Sequence, residues 1–120
     1  MVNYFFDSYA IIELIGKNPA YKKYEESPLV TTVLNKIEVV SWGLVTYGEE
    51  FSDILVKSLQ YVVDIPDDVI REAVRMKRRE NKRNVSYADC IGYCFARNNG
   101  LLFLTGDKEF KDLPGVEYVK

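Results

Sequence analysis

At 120 residues, with 48% apolar and 28% charged, the chain is long enough to bury one real core and too short for two. Its formal charge of −2 gives no overall pull toward nucleic acid or a membrane surface, so any such binding must come from a local patch. Histidine is absent, which excludes Ser-His-Asp and Cys-His devices and any zinc site built on imidazole; two cysteines alone cannot close a tetrahedral zinc. The first expected element is a strand over Asn3 to Phe6, ending at Asp7. A helix follows from Ser8 to Ile15 and stops at Gly16. Pro19 to Glu26 reads as a second short helix, halted before Pro28. Leu29 to Thr31 reads as a short strand.

From Thr32 a long helical pattern begins, with Val33, Leu34, Ile37, Val40 and Leu44 as its expected core-facing stripe and Glu38 beside it. Another helix covers Glu49 to Leu59, and Tyr61 to Ile65 reads as a third strand. Pro66 opens a helix whose apolar stripe is Val69, Ala73 and Met76, with Asp67 and Asp68 at its positive end. That helix runs into a basic tail of Arg75, Lys77, Arg78, Arg79, Lys82 and Arg83. Ser86 then caps a helix in which Ala88, Cys90, Gly92, Cys94 and Ala96 alternate with Ile91, Tyr93 and Phe95, the pattern of a helix pressed against a sheet. Asn99-Gly100 stops it, Leu101 to Leu104 is a buried strand, Thr105-Gly106-Asp107 turns the chain, and Val116 to Val119 is the last strand.

Strands alternating with helices predict one α/β domain over residues 1–120, three layers α/β/α around a central, mostly parallel, five-stranded sheet. No apolar run approaches the ~20 residues of a membrane span. The opening MVNYFFDSY lacks a basic region and is broken by Asp7, so no leader is expected. Cys90 and Cys94 read as small core residues in a reducing cytoplasm. There is no G-x-x-x-x-G-K-[ST] loop and no G-x-G-x-x-G fingerprint, so chemistry here would fall to carboxylates.

In an open parallel sheet the functional crevice lies outside the carboxyl ends of the strands. Asp7 ends the first strand, Glu38 is about two turns into the helix after the second, Asp89 opens the small-residue helix, and Asp107 follows the fourth strand. Each has a local alternative. Asp7 caps a helix, Asp89 fits the third position of a capping box, Asp107 makes an Asx turn, and Glu38 rides a solvated helix edge. Clustered carboxylates repel one another unless a cation bridges them, so four of them at one rim would point beyond local roles.

FFDSYAII, the segment from Thr32 to Glu38, SYADCIGYCFA and LTGDKEF match in order and spacing the four acidic motifs of PIN-domain nucleases. The resemblance runs from the first strand to Gly115-Val116-Glu117. It implies a metal-dependent ribonuclease site built from Asp7, Glu38, Asp89 and Asp107, with Ser8 and Thr105 as supporting hydroxyls. The short form is similar to the VapC-like toxin ribonucleases of prokaryotic toxin–antitoxin pairs, which implies an RNA substrate, a small antitoxin partner and often a homodimer. Asn35 stands where the family commonly has threonine, and Gly106 where arginine or asparagine is frequent.

Oxygen-only ligands select hard cations, here Mg²⁺ or Mn²⁺, which suit phosphodiester hydrolysis without a histidine base. Asp7 and Asp107 are the expected direct ligands and Asp89 another; Glu38 either ligates or orients the attacking water. Arg78, Arg79, Lys82 and Arg83 either track an RNA backbone or form a solvated helix end favoured by the helix dipole. Tyr9, next to Ser8, is the candidate for base stacking. Competing readings are a catalytically inactive PIN-like module for RNA binding or interaction, and a receiver-like phosphoacceptor domain, which would want an aspartate ending the third strand. A phosphatase of the D-x-D type fails on Tyr9.

Overall fold

The computed structural model describes residues 2–80 and 84–120. In chain order they form β1 (Tyr4–Phe6), α1 (Ser8–Ile15), α2 (Val33–Tyr47), α3 (Glu49–Ser58), α4 (Asp67–Arg79), α5 (Tyr87–Asn98), β2 (Leu102–Thr105) and β3 (Val116–Tyr118). Short 3-10 turns occupy Pro19–Tyr24 and Lys108–Phe110. The strands pair in parallel in the order β1-β2-β3, with Phe5 opposite Phe103 and Phe103 opposite Val116.

Successive strand residues face opposite ways, and this period of two builds two cores. Phe5 and Phe103 bury themselves among Val69, Ala73 and Met76 of α4 and Cys90, Ile91 and Cys94 of α5. Phe6 and Leu104, one residue on, pack under Ala10 and Ile11 of α1, Val39 of α2 and Leu55 of α3. The three-layer α/β arrangement therefore follows from adjacent apolar residues in the same short strands. Gly92 lets α5 sit directly on the sheet: a Cβ there would lie 2.6 Å from Phe5 Cε1 and 3.2 Å from Phe103 Cε1. Both cysteines are free and buried in this layer, as their spacing suggests.

The sheet has three strands among the described residues, not the expected five. Val30 makes one bridge to Phe5, and Val63 N–H donates to Thr31 O at 2.9 Å. The first segment thus lies beside β1 and the second beside the first, each held by little backbone pairing. The cause is local. Pro28 has no N–H to offer, and the Thr31 hydroxyl donates to Phe6 O at 2.8 Å in place of a ladder bond. Thr32 then leaves the strand direction to cap α2, and Pro66 caps α4 at the end of the segment 61–65.

A second correction concerns α2. Its core-facing residues are Asn35, Val39 and Gly43, spaced four apart. Of the expected stripe, Leu34 and Val40 pack against the two cores at its edge, whereas Val33 44%, Ile37 59% and Leu44 46% are exposed on the neighbouring face. Among the described residues no helix is long and apolar enough to cross a membrane.

Candidate active site

Asp7 leaves β1 and immediately caps α1, its Oδ1 accepting from Ala10 N–H at 2.8 Å. It is 2% exposed. Burial pushes its carboxyl up to about 7, and the charges of Asp89 and Asp107 push the same way, against hydrogen bonds from Thr105 and Ala10 that favour the ionised form. Asp89 completes a capping box with Ser86: Oδ2 accepts Ser86 N–H at 2.9 Å while Asp89 N–H donates to Ser86 Oγ at 3.0 Å. Burial raises this carboxyl too, helped by Asp107 and Glu38 and opposed by the Ser86 bonds. Asp107 N–H donates to Thr105 Oγ1 at 3.0 Å, and Asp107 Oδ1 accepts from Glu109 N–H at 3.0 Å.

Every one of the local alternatives is therefore realised for the three aspartates, and they still share one space. Asp7, Asp89 and Asp107 line a single cleft of about 250 Å³ at the carboxyl ends of β1 and β2. Tyr9, Gly106, Lys108 and Lys120 complete its walls. Glu38 is exposed on α2 and does not line the cleft, but its charge reaches Asp89. It is held by a polar chain: the Ser8 hydroxyl donates to Glu38 Oε1, and Asn35 Nδ2 donates to Ser8 Oγ at 3.1 Å. Asn35 is itself fixed by the Thr32 hydroxyl, which donates to its Oδ1 at 2.7 Å. Asparagine at this position accepts from the cap through Oδ1 and donates to Ser8 through Nδ2.

Gly106 also has its reason here. A Cβ would stand 2.1 Å from Tyr9 Cε1 and 2.6 Å from Val119 O, so the Tyr9 ring fills the room a side chain would need. The two cleft lysines were not legible as site residues. Lys108 follows Asp107 directly, but Lys120 arrives only through tertiary pairing, Val119 N–H donating to Thr105 O at 2.9 Å. Of the basic run, Arg79 lines a groove between α4 and α5 and Arg78 is exposed outside it, whereas Lys82 and Arg83 lie outside the described residues. Asp64, which the receiver reading would need at a strand end, is exposed and in no strand.

Among the described residues no group of three or more His, Cys, Asp or Glu side chains converges as a metal site. The donor set is nevertheless all oxygen, and the burial that chiefly raises Asp7 and Asp89, with the smaller repulsion from neighbouring acids, is a cost that a hard divalent cation offsets. The residues present fit such an ion by their chemistry.

Parallel strands sandwiched by helices, with aspartates from three elements at one rim, define an α/β domain with an acidic cleft. The model of the PIN domain family matches residues 4–116, and the chain belongs to that family. Among solved structures, VapC20 of Mycobacterium tuberculosis, described as a sarcin-ricin loop cleaving toxin, superposes with a TM-score of 0.80 at 15% identity, over 98% of this chain and 99% of that one. A toxin–antitoxin complex from Klebsiella pneumoniae gives 0.75 at 21% identity over 96% of each chain. DNA-bound VapBC from Salmonella typhimurium gives 0.72 at 16% identity, over 99% of this chain and 98% of that one. At such identities the likeness is one of fold. No curated protein matches the sequence.

Proposed function

We propose that the chain is a divalent-cation-dependent endoribonuclease, a single domain over residues 1–120 that hydrolyses RNA phosphodiester bonds as the toxin of a toxin–antitoxin pair in the cytoplasm. The observation that carries this reading is the sharing of one cleft by Asp7, Asp89 and Asp107, three separate elements' worth of carboxylate. Asp7, Asp89 and Asp107, with Glu38 beside them, would hold Mg²⁺ or Mn²⁺. The chemistry such an ion supplies when bound is positive charge beside the phosphate and activation of the attacking water. Burial pushes the Asp7 carboxyl up to about 7, and a bound cation would favour its ionised form. Thr105, by hydrogen bonding that carboxyl, favours the ionised form needed for ligation. Ser8 and Asn35 keep Glu38 aimed from α2, and Lys108 and Lys120 offer positive charge to a phosphate entering an otherwise negative cleft. Arg78 and Arg79, exposed on the last turn of α4, are offered to the RNA backbone.

The proposed partner is a small antitoxin laid on the uncovered apolar face of α2 and α3, where Val33, Ile37, Val40, Leu44 and Val56 line a depression of about 400 Å³. Two of the structural neighbours are toxin–antitoxin assemblies, which supports this choice. Sedimentation of the chain alone tests whether a homodimer covers the face instead.

Purified protein should cleave single-stranded or structured RNA in Mg²⁺ or Mn²⁺, and both chelation and Asp107→Asn should abolish cleavage. Full activity in chelator, or in the variant, would overturn the mechanism. A catalytically inactive RNA-binding relative is the second reading, favoured by the lack of convergence among the carboxylates. RNA binding without cleavage in either metal would select it.

A further inference from the structure

Outside the acidic cleft, a concave surface between α4 and α5 gathers positive charge among the described residues. Arg75 and Arg79 of α4 and Arg97 of α5 line a groove of about 320 Å³. Glu72 is the one acid on its wall, tied at its end to Asn98, whose Nδ2 donates to Glu72 Oε2 at 3.0 Å. Three guanidiniums against one carboxylate leave a local charge of +2 (3 − 1) in a chain whose total is −2. Composition alone required that any affinity for nucleic acid be local, and this groove is such a place.

The helix dipole does not account for the cluster. Cations gather favourably at helix C-termini, which covers Arg79 and Arg97, each in the last turn of its helix. Arg75 lies before the last turn of α4, and it stands four residues from Arg79 on the same face. The groove is also linked to the acidic cleft by one element. Asp89, Tyr93 and Arg97 are spaced four apart on α5, so the stripe that starts at the cleft aspartate ends at the groove arginine, about 12 Å along the axis.

We propose that this groove is an RNA subsite in which Arg75, Arg79 and Arg97 hold phosphates of the substrate strand away from the scissile bond. The proposal rests on the ribonuclease reading and adds to it where the strand runs. Guanidinium forks suit phosphate oxygens bidentately, and contacts of this kind position a strand without reading its sequence.

The test uses fluorescent single-stranded RNA of about twelve nucleotides, titrated with salt in chelator so that nothing is cleaved. Arg75 and Arg79 are exposed, so Arg75→Gln with Arg79→Gln should leave the fold intact by circular dichroism. The double variant should bind more weakly on all sequences alike, and its salt slope should be shallower by roughly 1.4, at about 0.7 per lost phosphate contact on a single strand. Metal-dependent cleavage of the same RNA by the wild-type protein is measured beside it. The control Lys57→Gln with Arg71→Gln, exposed and outside the groove, should keep the wild-type slope. Cleavage with an unchanged slope in the groove variant overturns the subsite and leaves the nuclease reading standing. The expected slope change without any cleavage overturns the nuclease reading and leaves the subsite. An equal slope change in the control, no RNA binding at all, or a groove variant that loses a polyglutamate peptide while keeping RNA also overturns the subsite, the last assigning it to an acidic protein.

Discussion

Replacing Asp7 by asparagine should stabilise the metal-free protein, and the size follows from its surroundings. The carboxyl is 2% exposed and its pKa is pushed up to about 7, against 3.8 for a free side chain. Below about pH 4 it is neutral in both folded and unfolded chains, and folding carries no penalty from it. Between about pH 4 and 7 the unfolded chain gives up the proton while the folded one keeps it, so stability falls as pH rises. Above pH 7 the whole cost is present, about 4 kcal/mol, a large part of the ~5–15 kcal/mol typical of a domain. Asparagine keeps an oxygen for Ala10 N–H and carries no charge. Urea unfolding in chelator at pH 5 and pH 8 measures the effect. The variant should gain on the wild type chiefly at pH 8, by a few kcal/mol. Added Mg²⁺ or Mn²⁺ should then stabilise the wild type, by about 2.7 kcal/mol at a hundredfold excess over Kd, and the variant much less. A variant no more stable than wild type at pH 8 without metal would refute the claim that Asp7 carries an unneutralised burden.

Gly106→Ala should destabilise the fold by about 1–3 kcal/mol, because the new methyl meets both the Tyr9 ring and Val119 O; an unchanged Tm would show that the ring moves freely. Thr31→Val should cost about 1–3 kcal/mol by leaving Phe6 O without the hydroxyl beside β1, read as a shift in the urea midpoint. A neutral result there would mean that solvent replaces the bond.

The helices were legible because their signals are local. Asp7 before α1, Thr32 before α2 and Ser86 before α5 each cap the helix that their type and position suggest. The two outer strands were misjudged for the opposite reason. Leu29 to Thr31 and Tyr61 to Ile65 have strand composition, but whether a ladder forms depends on partners, and here Pro28 and the Thr31 hydroxyl remove its bonds. On α2 the apolar residues outnumber the places in the core, so periodicity alone favoured Val33, Ile37 and Leu44, while packing against α3 chose Val39 and Gly43. At the candidate site, the aspartates were found because the carboxyl ends of parallel strands are predictable from topology. The polar chain through Asn35 was invisible, since no property of that residue in sequence announces a contact with Ser8.

The lodging of Val119 beside Thr105 has a practical side. Because that pairing delivers Lys120 to the wall of the acidic cleft, whatever is joined after Lys120 leaves the fold at the cleft's mouth. An affinity tag placed there would crowd an incoming strand, and a histidine-rich one would bring metal-binding imidazoles beside carboxylates in a chain that has no imidazole of its own. Labels and purification handles therefore belong before β1, where Val2 and Asn3 are exposed and line none of the cleft.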